Sequence, residues 1–346
     1  MYKTILALLL SIIGSAALAA AKFNVGQRDY VFEDTARGRK IFTHVWYPVS
    51  TKIKTEKLKK PGPFVAVESA MDATPDRSKS KFPVVLISHG SGGTAEKLFW
   101  IVKPLVENGY VAIGVDHPGN MTGDNSGQGT IRAWDRPPDL TFALDRVDQS
   151  KEFKGLLDLT KLSAVGHSAG GTTVLLLSGA RLSAKNLSNP IPKCGGNKDP
   201  YVEKFCKEMK AIDYRSYPKE IVEKDYSDKR IKAVVSLDPG LFASFEPSSF
   251  KKLSAKPLVI AAEKLHEPQD EIQSKDFAKH LSKDEFEILP GSYHMTFLQP
   301  CLPGVELEDA ELQVLCANGQ KKIEMQDAAI KKTLSLFEKF TLQAHQ

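Results

Sequence analysis

Apolar runs and amphipathic stretches alternate along most of this chain. IFTHVWYP (41–48), FPVVLISHG (82–90), YVAIGVDHPG (110–119), IKAVVSLD (231–238), PLVIAA (257–262) and EFEILP (285–290) read as strands. The short run Leu162 to Val165 reads as another. Several are apolar at consecutive positions, the pattern of strands buried on both faces. Between them, residues 94–108 predict a helix stopped by Asn108-Gly109, and 138–158 place Leu140, Ala143, Leu144, Val147 and Phe153 on one side of a second. Residues 172–182 and 322–342 predict two more. Strands separated by helices predict an α/β protein with a mostly parallel sheet, which takes ligands at the carboxyl ends of its strands.

Three stretches break the alternation. Residues 50–81 are rich in Lys, Pro and Ser and read as a long surface loop. Residues 119–135 are rich in Gly and Asn and read as a mobile loop. Residues 183–229 are polar, carry Tyr201, Tyr214, Tyr217 and Tyr226, and read as a cap inserted into a single domain spanning 22–346.

The sharpest local signal is Gly166-His167-Ser168-Ala169-Gly170-Gly171, set between the strand ending at Val165 and the helix that follows. A serine with glycines two residues away on each side, at a strand-to-helix turn, is the nucleophile-elbow pattern. The turn is so sharp that no side chain is expected to fit at Gly166 or Gly170. It lifts Ser168 clear of the sheet, beside helix N–H groups able to receive negative charge.

Lys3 precedes an apolar run that ends in small residues, ILALLLSIIGSAALAAA. It is short for a membrane span and predicts a signal peptide over 1–21, cleaved after Ala19 or Ala21. No second long apolar run follows, so no stable membrane span is expected. The predicted location is exported, periplasmic or secreted. Net charge is +5 and the densest basic run is KIKTEKLKK (52–60). It lacks interleaved aromatics, which argues for a solvated loop and against a nucleic-acid partner. The four cysteines, Cys194, Cys206, Cys301 and Cys316, all lie in the exported part. Of three possible pairings, the two local ones, Cys194–Cys206 and Cys301–Cys316, join loop-like stretches and are preferred. Their spacings are not zinc-like, and the reading requires neither metal nor cofactor.

A serine nucleophile needs a base, and the base needs an acid to orient it. On such an elbow the partners follow in the order Ser, acid, His. Of the later histidines, His280 lies in a charged segment and reads as solvated, and His345 lies in the tail. His266 follows the strand 257–262. His294 stands just past the last strand, where its loop can reach the elbow, and is preferred. The usual acid position after 257–262 holds Leu265, with Glu263, Glu267 and Asp270 nearby. One strand earlier, Asp238 ends VVSLD and is followed by Pro239-Gly240, and it is preferred to Asp270. Two oxyanion donors are expected: the backbone N–H of Ala169, and that of Ser91 in the glycine-rich loop SHGSGGT. His89 in that loop reads as structural.

SHGSGG (88–93), RPPDLTFALDRV (136–147), GHSAGG (166–171), SLDPG (236–240) and GSYHMTFLQPC (291–301) together resemble a known group. It comprises the secreted bacterial "predicted dienelactone hydrolases", similar to platelet-activating-factor acetylhydrolase within the α/β-hydrolase superfamily. The resemblance implies an α/β-hydrolase fold, a mostly parallel central sheet flanked by helices, here with an inserted disulfide-containing cap. It also implies an acid after the earlier strand, as at Asp238, and activity on esters, including short-chain acyl esters and phospholipids. Dienelactone hydrolase proper uses a cysteine nucleophile, so that activity is not carried over to Ser168. The expected function is a serine carboxylic-ester hydrolase acting on short or medium acyl esters. The alternatives are a lipolytic enzyme of phospholipase A or platelet-activating-factor acetylhydrolase type, with a lipid substrate, and a non-catalytic binding protein on the same fold. Oligomeric state is left open.

Overall fold

Val84, Val85, Leu86 and Ile87 show why the chain forms a layered sheet. All four are fully buried, yet alternate residues enter different cores. Val85 and Ile87 pack with Leu98, Ile101, Leu105 and Phe337 on one face. Val84 and Leu86 pack with Leu140, Leu144, Val147 and Phe153 on the other. Each such side chain, once fully buried, contributes about 1.5–3 kcal/mol. The strand is therefore held between helical layers.

The computed structural model describes residues 22–58, 62–188, 200–264, 274–305, 310–317 and 319–342. The chain enters through β1 (Asn24–Asp34), β2 (Arg39–Val49), β3 (Glu56–Leu58) and β4 (Val67–Met71). There follow β5 (Phe82–Ser88), α1 (Phe99–Glu107), β6 (Val111–Asp116), β7 (Asn120–Met121), β8 (Asp124–Asn125) and α2 (Gly127–Ile131). Next come α3 (Arg136–Gln149), β9 (Leu157–His167), α4 (Ala169–Leu177), α5 (Pro200–Ala211) and α6 (Lys219–Val222). The remainder is β10 (Ile231–Leu237), β11 (Lys256–Ala262), β12 (Phe286–Leu289), α7 (Ala310–Cys316) and α8 (Gly319–Phe337).

Ten of the strands form one sheet in the order β12-β11-β10-β9-β5-β6-β2-β1-β4-β3. The run from β12 to β6 is parallel, and β2 joins it antiparallel. Chain order reverses between β5 and β9, which lie side by side. The crevice for a ligand is therefore expected at the ends of these two strands.

Several boundaries differ from the sequence reading. The second predicted helix stops at Gln149, because Ser150 turns to extended backbone and the chain passes through a tight turn into β9. Residues 119–135 form the β7–β8 hairpin and α2, with Ser126 Oγ accepting from Gly129 N at 3.0 Å as an N-cap. The 50–81 segment contributes β3 and β4 to the sheet edge. In the 183–229 segment, α5 packs on α2, where Gly127 N donates to Glu208 Oε2 at 3.0 Å. Val222 of α6 is buried in a third core with Leu175, Leu176, Phe245 and Phe277.

Cys301 and Cys316 are disulfide-bonded, as expected. Cys206 is buried, while Cys194, and with it the other expected pairing, lies outside the described residues. The predicted signal segment 1–21 lies outside them too. No helix among the described residues is long and apolar enough to cross a membrane.

Candidate active site

β9 runs into α4 through Ser168, whose backbone is left-handed with φ 56°. A non-glycine residue held there is strained, and such strain persists only where the surroundings enforce it. A Cβ at Gly166 would stand 2.0 Å from Gly170 O, and one at Gly170 would stand 1.8 Å from Ser88 O. Both positions therefore exclude any side chain, as the motif predicts. Ser168 N donates to Leu237 O at 2.9 Å, which ties the turn to the end of β10. Ser168 itself is half-buried.

Asp238 follows β10 directly and is likewise left-handed, with φ 42°. Its Oδ2 lies 2.7 Å from His294 Nδ1. Its Oδ1 accepts from Ala262 N at 2.8 Å and from the Ser274 hydroxyl. Burial works to raise the Asp238 pKa. The bonds from His294, Ala262 and Ser274 outweigh it and hold the carboxyl below its ordinary value. Because Nδ1 faces a carboxylate, the neutral His294 ring carries its proton there and leaves Nε2 as a base.

The His294 loop reaches the elbow through His167. The His167 Nε2–H donates to His294 O at 3.1 Å, and the two ring centroids are 4.5 Å apart. The loop is also braced from behind. Gln326 Nε2 donates to Thr296 O and Leu298 O at 2.8 and 2.7 Å, and Trp100 Nε1 donates to Phe297 O at 2.9 Å.

The loop after β5 carries Ser91, which is exposed. Ser91 Oγ accepts from Asn120 Nδ2 at 2.8 Å and lies 3.0 Å from Thr130 Oγ1. The loop is stitched to the β7 strand by Gly92 N to Asn120 O at 3.2 Å and Thr122 N to Gly93 O at 3.0 Å. Ala169 is the first residue of α4, so its N–H has no acceptor within the helix. Beneath the loop lies a polar cluster that sequence reasoning did not assemble. Arg136 donates to Asn120 Oδ1 at 2.6 Å, to Thr173 Oγ1 at 3.0 Å and to His89 O. Asp139 binds His117, Arg37 and Arg39. Arg136 and Asp139 belong to the RPPD stretch already noted. Ser274, by contrast, had no signal, because nothing local marks a serine as a carboxylate's partner.

Among the other candidates, Glu263 binds Gly291 N through Oε2 at 2.8 Å and makes no bond to His294. His280 is partly exposed, so its reading as solvated holds in part, and its ring also stacks on Phe242 and Phe250, with centroids 5.7 and 6.0 Å away. His266, Glu267, Asp270 and His345 lie outside the described residues.

Residues 84–303 match the alpha/beta hydrolase family. The chain is similar to Cutinase est1 of Thermobifida alba, 29% identical over 111 residues, which are 32% of this chain and 34% of that one. It is similar also to Cutinase 2 of Thermobifida cellulosilytica, 30% identical over 111 residues, 32% of this chain and 39% of that one. These matches thus span little more than a third of either relative. Its fold resembles that of a ferulic acid esterase from Streptomyces cinnamoneus at a TM-score of 0.54 and 17% identity, covering 94% of this chain and 92% of that one. On the match over 84–303, which takes in β5, the elbow, β10 and the His294 loop, the chain belongs to the alpha/beta hydrolase family.

Proposed function

We propose that this protein is a serine hydrolase of carboxylic esters, with Ser168 as nucleophile, His294 as general base and acid, and Asp238 as the acid that orients it. The observation that carries this reading is the buried 2.7 Å contact between Asp238 and His294, set beside the strained Ser168 turn. Ser168 Oγ attacks the ester carbonyl while His294 Nε2 takes its proton. The tetrahedral oxyanion is received by the N–H groups of Ala169 and Ser91. Collapse expels the alcohol, which takes the proton from His294 and leaves an acyl-enzyme. Water, deprotonated by His294, then attacks the acyl carbon and releases the acid and Ser168.

The similarity to cutinases and to a ferulic acid esterase in fold supports ester chemistry. A non-catalytic binder would have no use for the strained serine and the oriented imidazole together. Covalent labelling by a fluorophosphonate separates the two. Ser168→Ala should lose labelling and lower turnover of p-nitrophenyl butyrate by about 10³–10⁶-fold while circular dichroism is unchanged. A folded Ser168→Ala that stays active would sink the assignment.

For the substrate we propose short or medium acyl esters. Residues 183–229 act as the cap that shapes the pocket. The groove between α2 and this segment, about 580 Å³, is lined by Ser126, Gln128, Glu208, Asp213, Ser216 and Tyr217 together with Ala211 and Ile212, a mixed set rather than a uniformly oily one. A kcat/KM series from C2 to C16 esters tests this. A rise toward the long chains, or activation at a lipid interface, would make the enzyme lipolytic instead. An exported setting, with residues 1–21 as its signal, fits the Cys301–Cys316 disulfide.

A further inference from the structure

His89 was set aside in the sequence as structural, yet its ring makes two directed bonds beneath the oxyanion loop. The ring is fully buried. The backbone N–H of His117 donates to His89 Nε2 at 3.0 Å. The other ring nitrogen, Nδ1, stands 2.6 Å from Gly90 O. A backbone N–H can only donate, so Nε2 carries the lone pair. A carbonyl can only accept, so Nδ1 carries the proton. Both contacts therefore select one neutral tautomer. Burial and the neighbouring Arg136 push the His89 pKa well down, which keeps the ring in that form.

The acceptor is the useful part. Gly90 O belongs to the peptide unit whose N–H is that of Ser91. It accepts from His89 and also from Gly93 N at 3.1 Å. A carbonyl that accepts two N–H bonds is fixed in direction and polarised, and hydrogen bonds in such a chain strengthen one another. The preceding carbonyl, His89 O, is held by the buried Arg136. Successive peptide units of the loop are thus anchored from below, and the Ser91 N–H is left facing away from these anchors.

We propose that His89 is a positioning residue for the oxyanion site: held in one tautomer by the His117 backbone, it aims and polarises the Gly90–Ser91 peptide, so that Ser91 N–H meets the developing negative charge. The inference rests on the reading of Ser91 as an oxyanion donor.

The test compares His89→Leu, which removes both ring bonds, with His89→Asn, whose Nδ2 can take the place of Nδ1. His89→Leu should lower kcat for p-nitrophenyl butyrate on the order of 10²-fold, the scale of losing an oxyanion donor, with KM within about threefold. Affinity for an alkyl boronic acid, which forms a tetrahedral adduct on the serine, should fall by the same factor, and His89→Asn should regain most of both. Wild-type activity in His89→Leu would overturn the proposal. So would a loss confined to KM with boronate affinity unmoved. The wild-type enzyme supplies an independent check, whether or not the variants fold. ¹⁵N spectra of its histidine rings should show His89 neutral and protonated on Nδ1 at neutral pH. The opposite tautomer, or an imidazolium, would overturn the proposal. If the wild-type protein turns over no ester and takes no fluorophosphonate, the ester-hydrolase reading falls and this inference with it. Full activity in His89→Leu removes the inference alone.

Discussion

Two Asp–His pairs lie at the same edge of this sheet, and they are built from the same parts. Asp238 and His294 are 2.7 Å apart, and Asp139 and His117 are 3.0 Å apart. The second pair even has a serine, since Ser88 Oγ lies 3.0 Å from His117 Nε2. What separates them is the company each carboxylate keeps. Asp139 also binds Arg37 at 2.8 Å and Arg39 through both oxygens at 2.8 Å, and it is fully enclosed. Its charge is already neutralised. Burial, with Arg136, Arg39 and Arg37 close by, drives the His117 pKa well down, which disfavours a proton on that ring. Asp238 is satisfied by a backbone N–H and a hydroxyl instead. Its negative charge is left for the imidazolium that the proposed reaction forms on His294. A Ser–His–Asp row is therefore a hydrogen-bond pattern first. It becomes a catalyst only where the carboxylate lacks a competing cation and the serine can meet substrate.

The largest test of this contrast crosses the two acids. Asp238→Asn should lower kcat by about 10⁴-fold, since the amide favours the wrong imidazole tautomer, and should leave the thermal midpoint nearly unchanged. Asp139→Asn should act the other way. It takes their shared carboxylate from Arg37 and Arg39, which keep Asp34 and Asp135, and should cost about 3 kcal/mol of stability, with kcat far less affected. Paired kinetics and denaturant titrations decide it. An Asp139→Asn that unfolds no more readily than wild type, or an Asp238→Asn that keeps its turnover, would erase the distinction.

The pairs also differ in how their histidines are anchored. His117 directly follows β6, whereas His294 sits on a loop held from outside by contacts around the Cys301–Cys316 bridge. Tyr293 OH, for example, donates to Ala317 O at 2.6 Å. The bridge has a sequence separation of 15, for which the loop-entropy estimate gives about 3 kcal/mol. Replacing both cysteines by alanine should cost about that much in a chemical denaturation curve. Activity should fall as well, because the freed segment supports the His294 loop. Unaltered turnover at full loss of stability would show that the bracing is needed for the fold alone.

These contrasts mark what the sequence could and could not say. The central strands were legible because strands such as β5 are apolar at consecutive positions, from Phe82 to Ile87. The elbow was legible because its glycines answer a local steric demand. β1 was not, since its outer half mixes charged residues with Tyr30, Val31 and Phe32, is partly exposed and is ordered by pairing with β2. The end of α3 was overrun because Phe153 continues the apolar spacing from a turn. Ser168, Asp238 and His294 could be named from strand ends and chain order. The Ser274 contact and the cluster around Asp139 could not, because they join residues far apart in the chain, as Arg37 and Asp139 are.

A third histidine sharpens the comparison from the opposite side. His44 stands between two carboxylates, with Nδ1 2.9 Å from Asp29 and Nε2 3.3 Å from Asp116. Burial opposes its charge, but the bonds from Asp116 and Asp29 prevail and push its pKa up to about 10. A raised folded pKa stabilises fully below the ordinary histidine value and ceases to do so as pH rises through about 10. His44→Gln should therefore cost on the order of 2 kcal/mol in mildly acidic buffer and progressively less toward alkaline pH. A deficit independent of pH would mean that the ring contributes only by packing on Trp46, whose ring centroid lies 5.5 Å away.

The smallest expected effect concerns a buried base with no carboxylate partner among the described residues. Lys322 is 2% exposed, and its Nζ reaches the carbonyls of Gln299 and Leu315 only at 3.5 Å. Burial alone pushes its pKa down to about 7. A lysine depressed in this way destabilises the fold where the ammonium must be buried, at pH below about 7, and the penalty fades as pH rises toward the ordinary lysine value of 10.5. Lys322→Met keeps the volume and removes the charge. It should raise stability by about 1 kcal/mol in mildly acidic buffer, and the gain should vanish in alkaline buffer. The slope is opposite to that of His44→Gln, which loses its effect by a different route as pH rises. Thermal melts of both variants across the same buffers would separate the two. If Lys322→Met were destabilised at every pH, the two long bonds to the carbonyls would outweigh the cost of burying the charge. Lys322 would then act as a clamp on the His294 loop in place of a tolerated misfit.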